Sequence, residues 1–315
     1  MDATLNLSKL AKHFSDETAA RELLEAMRWP NGAECPLCGQ TATVYRMQKL
    51  AGSVKPGRPG LLRCRQCKKQ FTVTTGTVFE DSHIPISKWL LALYLLAASK
   101  KGMSAHQFHR TLGITYKSAW FMAHRLRYAM CEGPLAELMQ GVVEVDETYI
   151  GARNKRGTKR GRPGPDSHKT PVVALVERGG RVRAFPMPRV TAENLDAAIN
   201  AHVDPNAMMM TDEFSAYQKL GRKNHQTVNH ARDEYVRGDV YTNTAEGFFS
   251  LLKRGITGVY HHVGRGHLNR YCDEFSFRYD HRKISDGERA GLLVTGAEGK
   301  RLTYKQPADT GTTTA

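Results

Sequence analysis

Four cysteines limit what the N-terminal part of this chain can fold into. Cys35-Pro36-Leu37-Cys38 and Cys64-Arg65-Gln66-Cys67 form two knuckles separated by 25 residues, each setting two sulfurs where one tetrahedral ion can be gripped. Zinc suits four thiolates because it has no geometric demand of its own and binds sulfur at about 2.3 Å. Each knuckle is followed by hairpin-like chain, Gly39 to Tyr45 and Lys68 to Val73, so the segment predicts a ribbon with one structural zinc. Arg63, Arg65, Lys68 and Lys69 ring the second knuckle, and two readings stand: a ribbon that touches DNA, or a zinc-stapled module that holds its neighbours. Cys131 and Cys272 stand alone and read as inert thiols. Paired knuckles fit metal binding in a reducing compartment better than three disulfides.

A chain of 315 residues has room for about two domains or more. Lys+Arg 46 against Asp+Glu 31 leaves +15 at neutral pH, which points to a polyanionic partner such as nucleic acid. The most apolar stretch, Trp89 to Ala98, stops at Ser99-Lys100-Lys101 and reads as a core helix, short of the roughly 18 to 20 residues of a membrane span. The N-terminus lacks a continuous apolar core of the secretory kind, so the expected location is cytoplasmic, at the bacterial nucleoid. Changes in pattern predict a helical preface over 1–28 and the ribbon over 29–80. A helical segment over 81–135, a catalytic domain over 136–295 and a tail over 296–315, disordered at its end, follow.

Within Lys100 to Met130, Ser104 can cap a first helix, Gly113 allows a turn and Thr115 can cap a second, which is helix-turn-helix spacing. The second helix puts Tyr116, Lys117, His124, Arg125 and Arg127 among its polar positions, and Lys117, Arg125 and Arg127 are the DNA contacts expected there. Between Arg153 and Lys169, Lys155, Arg156, Lys159, Arg160 and Arg162 lie in a Gly/Pro-rich arm that can neutralise phosphates without reading sequence.

The chemistry is carried by carboxylates. In Val142-Val143-Glu144-Val145-Asp146-Glu147-Thr148-Tyr149-Ile150, a strand puts Glu144, Asp146 and Thr148 on one face of an otherwise apolar element. Asp212 repeats the situation at the end of Ala207 to Thr211. In Tyr241 to Gly255 a helix lines up Glu246, Ser250 and Lys253 as one polar stripe, while Phe248, Leu251 and Leu252 supply packing. Asn243 can cap that helix with Glu246 as its reciprocal partner. Glu144, Glu147 and Glu213 are expected to point away or to solvent, and His225 and His230 to be structural. Further along, Arg254 to Arg265 with Tyr260, His261 and His262 mixes charge with rings and can touch a DNA strand.

The motifs VEVDETYIG, TDEFSAY, DEYVRG, YTNTAEGFFSLLKRGITGVYHHV and HLNRYCDEFSFRYDHR resemble bacterial insertion-sequence transposases of the DDE type that carry an N-terminal zinc ribbon, over about residues 20 to 290. The resemblance implies an α+β multidomain chain: zinc ribbon, helix-turn-helix segment, then an RNase H-like mixed sheet with flanking helices. Strands at about 142–150, 170–178, 181–188, 207–212 and 226–230 then carry Asp146 and Asp212 on neighbours. It also implies metal-dependent cleavage and strand transfer at terminal inverted repeats of an element. Two Mg or Mn ions would be bridged by Asp146, with Asp212 and Glu246 completing one shell each and Lys253 on phosphate. The subgroup also implies Asn243 as an alternative third residue; the seven-residue spacing to Lys253 favours Glu246. The partner implied is double-stranded DNA, with a homodimer or higher oligomer to hold two ends. Rival readings are a catalytically silent DNA-binding regulator and a nuclease acting on RNA or a hybrid.

Overall fold

A computed structural model describes residues 16–47, 59–131, 137–151, 169–229, 232, 234 and 236–303. By internal packing these fall into two units, residues 16–130 with 283–303, and residues 131–282.

In the first unit, α1 (Glu17–Arg28) starts where the Asp16 carboxylate accepts the Thr18 N–H at 2.8 Å, and it buries Ala20, Leu24 and Met27. β1 (Val44–Arg46), β2 (Leu62–Cys64) and β3 (Gln70–Phe71) form a small antiparallel sheet in that order. α2 (Ile86–Ala98) buries Trp89, Leu90, Ala92, Leu93, Leu96 and Ala97, so it is covered on several sides, as its apolar composition requires. Its N-cap, Pro85, offers no side-chain acceptor; Glu17 of α1 takes the Ile86 and Ser87 N–H groups instead, at 2.7 and 3.2 Å. α3 (Ala105–Leu112) and α4 (Tyr116–Met130) follow, with Ser104 accepting from Gln107 N–H, Gly113 left-handed between them and Thr115 accepting from Ser118 N–H. This is the helix-turn-helix the caps predict.

The helix Asp286–Thr295, opened by a Ser285/Glu288 capping box, packs on α1, α2 and α4. Residues 283–295 therefore belong with the N-terminal unit, which corrects the catalytic boundary expected at 295. Its contacts are with elements more than 150 residues away, which no local pattern announces. Among the described residues no helix is long and apolar enough to cross a membrane.

The second unit is a five-stranded sheet of order β6-β5-β4-β7-β8. Its strands are β4 (Val142–Gly151), β5 (Lys169–Glu177), β6 (Val182–Pro186), β7 (Met208–Thr211) and β8 (His225–Thr227). β4, β5 and β6 are antiparallel, whereas β7 and β8 run parallel to β4. Three antiparallel strands extended by two parallel ones beyond the first is the RNase H-like arrangement. Val143, Val145, Val173 and Leu175 pack one face against α5 (Ala192–His202) and the short α6 (Ser215–Gln218). Ile150, Val172, Ala174 and Val176 pack the other against α7 (Asn243–Gly255) and α8 (Leu268–Asp280).

α7 runs directly into a π-helical turn, Ile256–Tyr260. A Cβ on Gly255 would lie 2.0 Å from Cζ of Phe275, a ring wholly buried in the core. Gly255→Ala is therefore expected to lower stability by about 1 to 3 kcal/mol through overpacking, read as a lower denaturation midpoint at unchanged slope. A wild-type midpoint would show that α7 and α8 are not pressed together there.

Candidate active site and zinc centre

The two knuckles are built alike. Cys35 N–H donates to Gln40 O at 2.9 Å and Cys64 N–H to Lys69 O at 3.1 Å. The residue after each second cysteine is left-handed, Gly39 at φ +70° and Lys68 at φ +59°. The four sulfurs lie within 4.8 Å of one another, with Cys35 and Cys67 at 3.7 Å and Cys38 and Cys64 at 3.6 Å. Four sulfurs about 2.3 Å from a tetrahedral ion stand about 3.8 Å apart, so this donor set fits zinc. Cys272 is buried in the second unit's core, where burial pushes its thiol well up, as expected of an inert cysteine. Around the ribbon, Arg65, Lys68 and Lys69 are exposed, and the Arg65 guanidinium sits 5.1 Å from the Tyr45 ring.

On α4, Tyr116 and Lys117 are exposed. Arg125 and Arg127 are buried, at 5% and 2% exposure, which corrects their assignment as DNA contacts. Arg125 donates to Glu80 O and lies over Trp89 and Phe121, and burial lowers its pKa to about 10. Only the first turns of α4 are amphipathic; from Met122 to Arg127 every residue is buried, so the polar side chains there face protein. Lys155, Arg156, Lys159, Arg160 and Arg162 lie outside the described residues.

Asp146 stands in the middle of β4 and Asp212 directly after β7, both half-buried. In the parallel register Val142, Val143 and Glu144 stand opposite Met208, Met209 and Met210, and Asp146 and Asp212 each lie two residues beyond that ladder on their own chain segments. The Asp212 carboxylate accepts the Phe214 N–H at 3.0 Å, which turns the chain into α6. Thr211 Oγ1 and His225 Nε2 lie 2.9 Å apart, and burial together with Arg222 lowers the His225 pKa, so this histidine is a support for the strand end.

α7 is capped differently from the expectation. Thr242 is its N-cap and makes no side-chain cap bond; Asn243 is the first helical residue. Asn243, Glu246, Ser250, Lys253 and Arg254 are exposed along the helix, opposite buried Ala245, Phe248, Phe249 and Leu252. The missing cap is supplied by Glu144, wholly buried, whose Oε2 accepts Thr244 N–H at 2.8 Å and Ala245 N–H at 3.0 Å. On the opposite face of β4, Tyr217 of α6 donates its hydroxyl to Glu147 Oε2 at 2.7 Å. Neither glutamate simply points to solvent. An acid on the buried face of a strand requires a partner, and a helix opening without an acceptor requires one from elsewhere; together these signals identify Glu144.

The structure thus sets β7 beside β4 and packs α7 on β4 and β5. Among the described residues, the four cysteines are the metal-ligand group gathered within 4.8 Å; Asp146, Asp212 and Glu246 are not gathered so closely.

Residues 138–280 match the ISXO2-like transposase domain and residues 15–70 the transposase zinc-ribbon domain. A Halobacterium salinarum protein described as an uncharacterized protein in transposable element ISH50 is 31% identical over 282 residues, covering 85% of this chain and 92% of that one. Two solved structures, the Mos1 strand transfer complex and a pre-cleavage Mos1 transpososome, are each similar at 13% identity. They have TM-scores of 0.22 and 0.23 and cover 66% and 68% of this chain and 78% and 80% of theirs. Likeness at that level carries no weight for mechanism. Identity over nearly the full length of the ISH50 protein, with both domains matched in order, places this chain in the ISXO2-like transposase family.

Proposed function

We propose that this protein is a DNA transposase that cuts at the terminal inverted repeats of its element and joins the freed ends to target DNA. The observation that supports this reading is the sheet order: β4, which carries Asp146, is the parallel neighbour of β7, which Asp212 directly follows, and β4 packs against the helix presenting Asn243, Glu246 and Lys253. The donor set is hard carboxylate oxygen, which fits Mg or Mn. When bound, such ions would supply Lewis-acid activation of the attacking oxygen and charge stabilisation of the leaving one. Asp146, Asp212 and Glu246 would hold these ions, and Lys253 would set a point charge against a phosphate. No covalent protein intermediate is required.

DNA is held by Lys117 at the exposed start of α4, by Arg254, and by Lys155, Arg156, Lys159, Arg160 and Arg162 of the Gly/Pro-rich stretch of the sequence, with affinity falling steeply as salt rises. Two ends held at once call for a dimer or higher oligomer.

Cleavage by Glu246→Gln and Asn243→Ala tests the third position. Glu246→Gln is expected to lose about a hundredfold or more in rate and Asn243→Ala less, because only the carboxylate neutralises a cation. A greater loss in Asn243→Ala would transfer the role to Asn243.

A further inference from the structure

Glu144 is a wholly buried acid engaged through both carboxylate oxygens. Its Oε2 takes the two α7 amides described above, while Oε1 takes Thr244 Oγ1–H at 2.8 Å and Arg178 Nε–H at 2.7 Å. Those four bonds use the roughly four acceptor sites of a carboxylate, leaving none for a cation. Arg178 in turn donates to Asp239 O at 2.7 Å and Tyr241 O at 2.9 Å, with its guanidinium 3.6 Å from the Tyr241 ring. The pair therefore grips both the chain entering α7 and the helix's first free amides, where a negative charge also meets the helix dipole favourably. Glu144 and Asp146 share one face of β4, two residues or about 6.6 Å apart.

We infer that Glu144, with Arg178 as its counter-charge, is a positioning residue: it docks α7 on β4 so that the face bearing Asn243 and Glu246 is held at a fixed offset from Asp146. The inference rests on the transposase reading above.

The decisive variant is Glu144→Leu/Arg178→Met in the full chain, which replaces the buried pair by apolar groups and leaves no orphaned charge. Its melting midpoint is expected to fall by several degrees, because the Thr244 and Ala245 amides lose their acceptor, while kcat for cleavage of end DNA falls about a hundredfold and KM moves less than about twofold. In the metal-free, DNA-free protein the Thr244 and Ala245 amides should exchange with deuterium about tenfold faster than in wild type. Glu144→Gln keeps an acceptor for the amides but not the Arg178 pair, and should lose about tenfold in kcat. Retention of wild-type kcat by the double variant, whatever its midpoint, would overturn the inference, because a buried pair with a merely structural role predicts that result. Wild-type kcat in Glu144→Gln beside Asp146-dependent cleavage by the wild type would overturn it alone. No Asp146-dependent cleavage by the wild type would overturn the transposase reading and this role with it.

Discussion

Asp146→Asn is expected to lower DNA cleavage by roughly a thousandfold or more while leaving DNA affinity within about twofold. Asparagine keeps the size of the side chain and the oxygen that accepts Glu147 N–H at 2.7 Å, so β4 and its neighbours remain as they are. What disappears is the negative charge with which the carboxylate would hold a divalent cation. Asp212→Asn carries the same expectation, since its amide oxygen still accepts from Phe214 N–H and preserves the turn into α6. Single-turnover cleavage measured at saturating DNA, beside binding measured by gel shift, separates chemistry from affinity. Cleavage within tenfold of wild type in either variant would remove that aspartate from the site.

The second large effect is on the ribbon. β1, β2 and β3 contribute only a few buried side chains, with Trp29 set edge-on to Phe71 at 6.0 Å. So little apolar burial does not hold a fold without a staple. Structural zinc contributes roughly 10 to 16 kcal/mol of apparent binding energy at neutral pH, which exceeds what such a core supplies. Cys35→Ser, or chelation of the wild type, is therefore expected to abolish the ordered ribbon. Metal analysis should fall from one zinc per chain to a small fraction, with loss of the buried Trp29 fluorescence. Because the ligand thiolates compete with protons, zinc is also expected to be released as pH falls. Full zinc content in Cys35→Ser would show that the four sulfurs do not share one ion.

Much of this was legible in the chain because the deciding patterns are local. Knuckle spacing predicts the sulfur cluster, alternation predicts β4, and Ser104, Gly113 and Thr115 each occupy the capping or turning position their chemistry suits. What no local pattern carries is long-range. Glu144 finds its partners 100 residues on, at Thr244, and 34 residues on, at Arg178, so its role depends on strand order and not on its neighbours. Asn243 suits a cap by residue type, but an acid reaching across from the sheet takes that work and leaves Asn243 exposed on the first turn. Arg125 and Arg127 look like groove contacts only if α4 has one covered face; its second half is covered all round. The helix Asp286–Thr295 is well marked by its Ser285/Glu288 box, yet which unit it joins is settled by packing against α1, α2 and α4. Periodicity reports that a face will be covered, and is silent about what covers it.

The most direct test of the central claim is to incubate the purified chain with magnesium and DNA carrying the inverted repeats that flank its gene, then to sequence new 3′ ends and any joined products. New ends at the repeat borders and junctions to target DNA are expected, both lost with Asp146→Asn. Specific binding of the repeats with no cutting or joining at any magnesium or manganese concentration would contradict the account and leave a DNA-binding regulator.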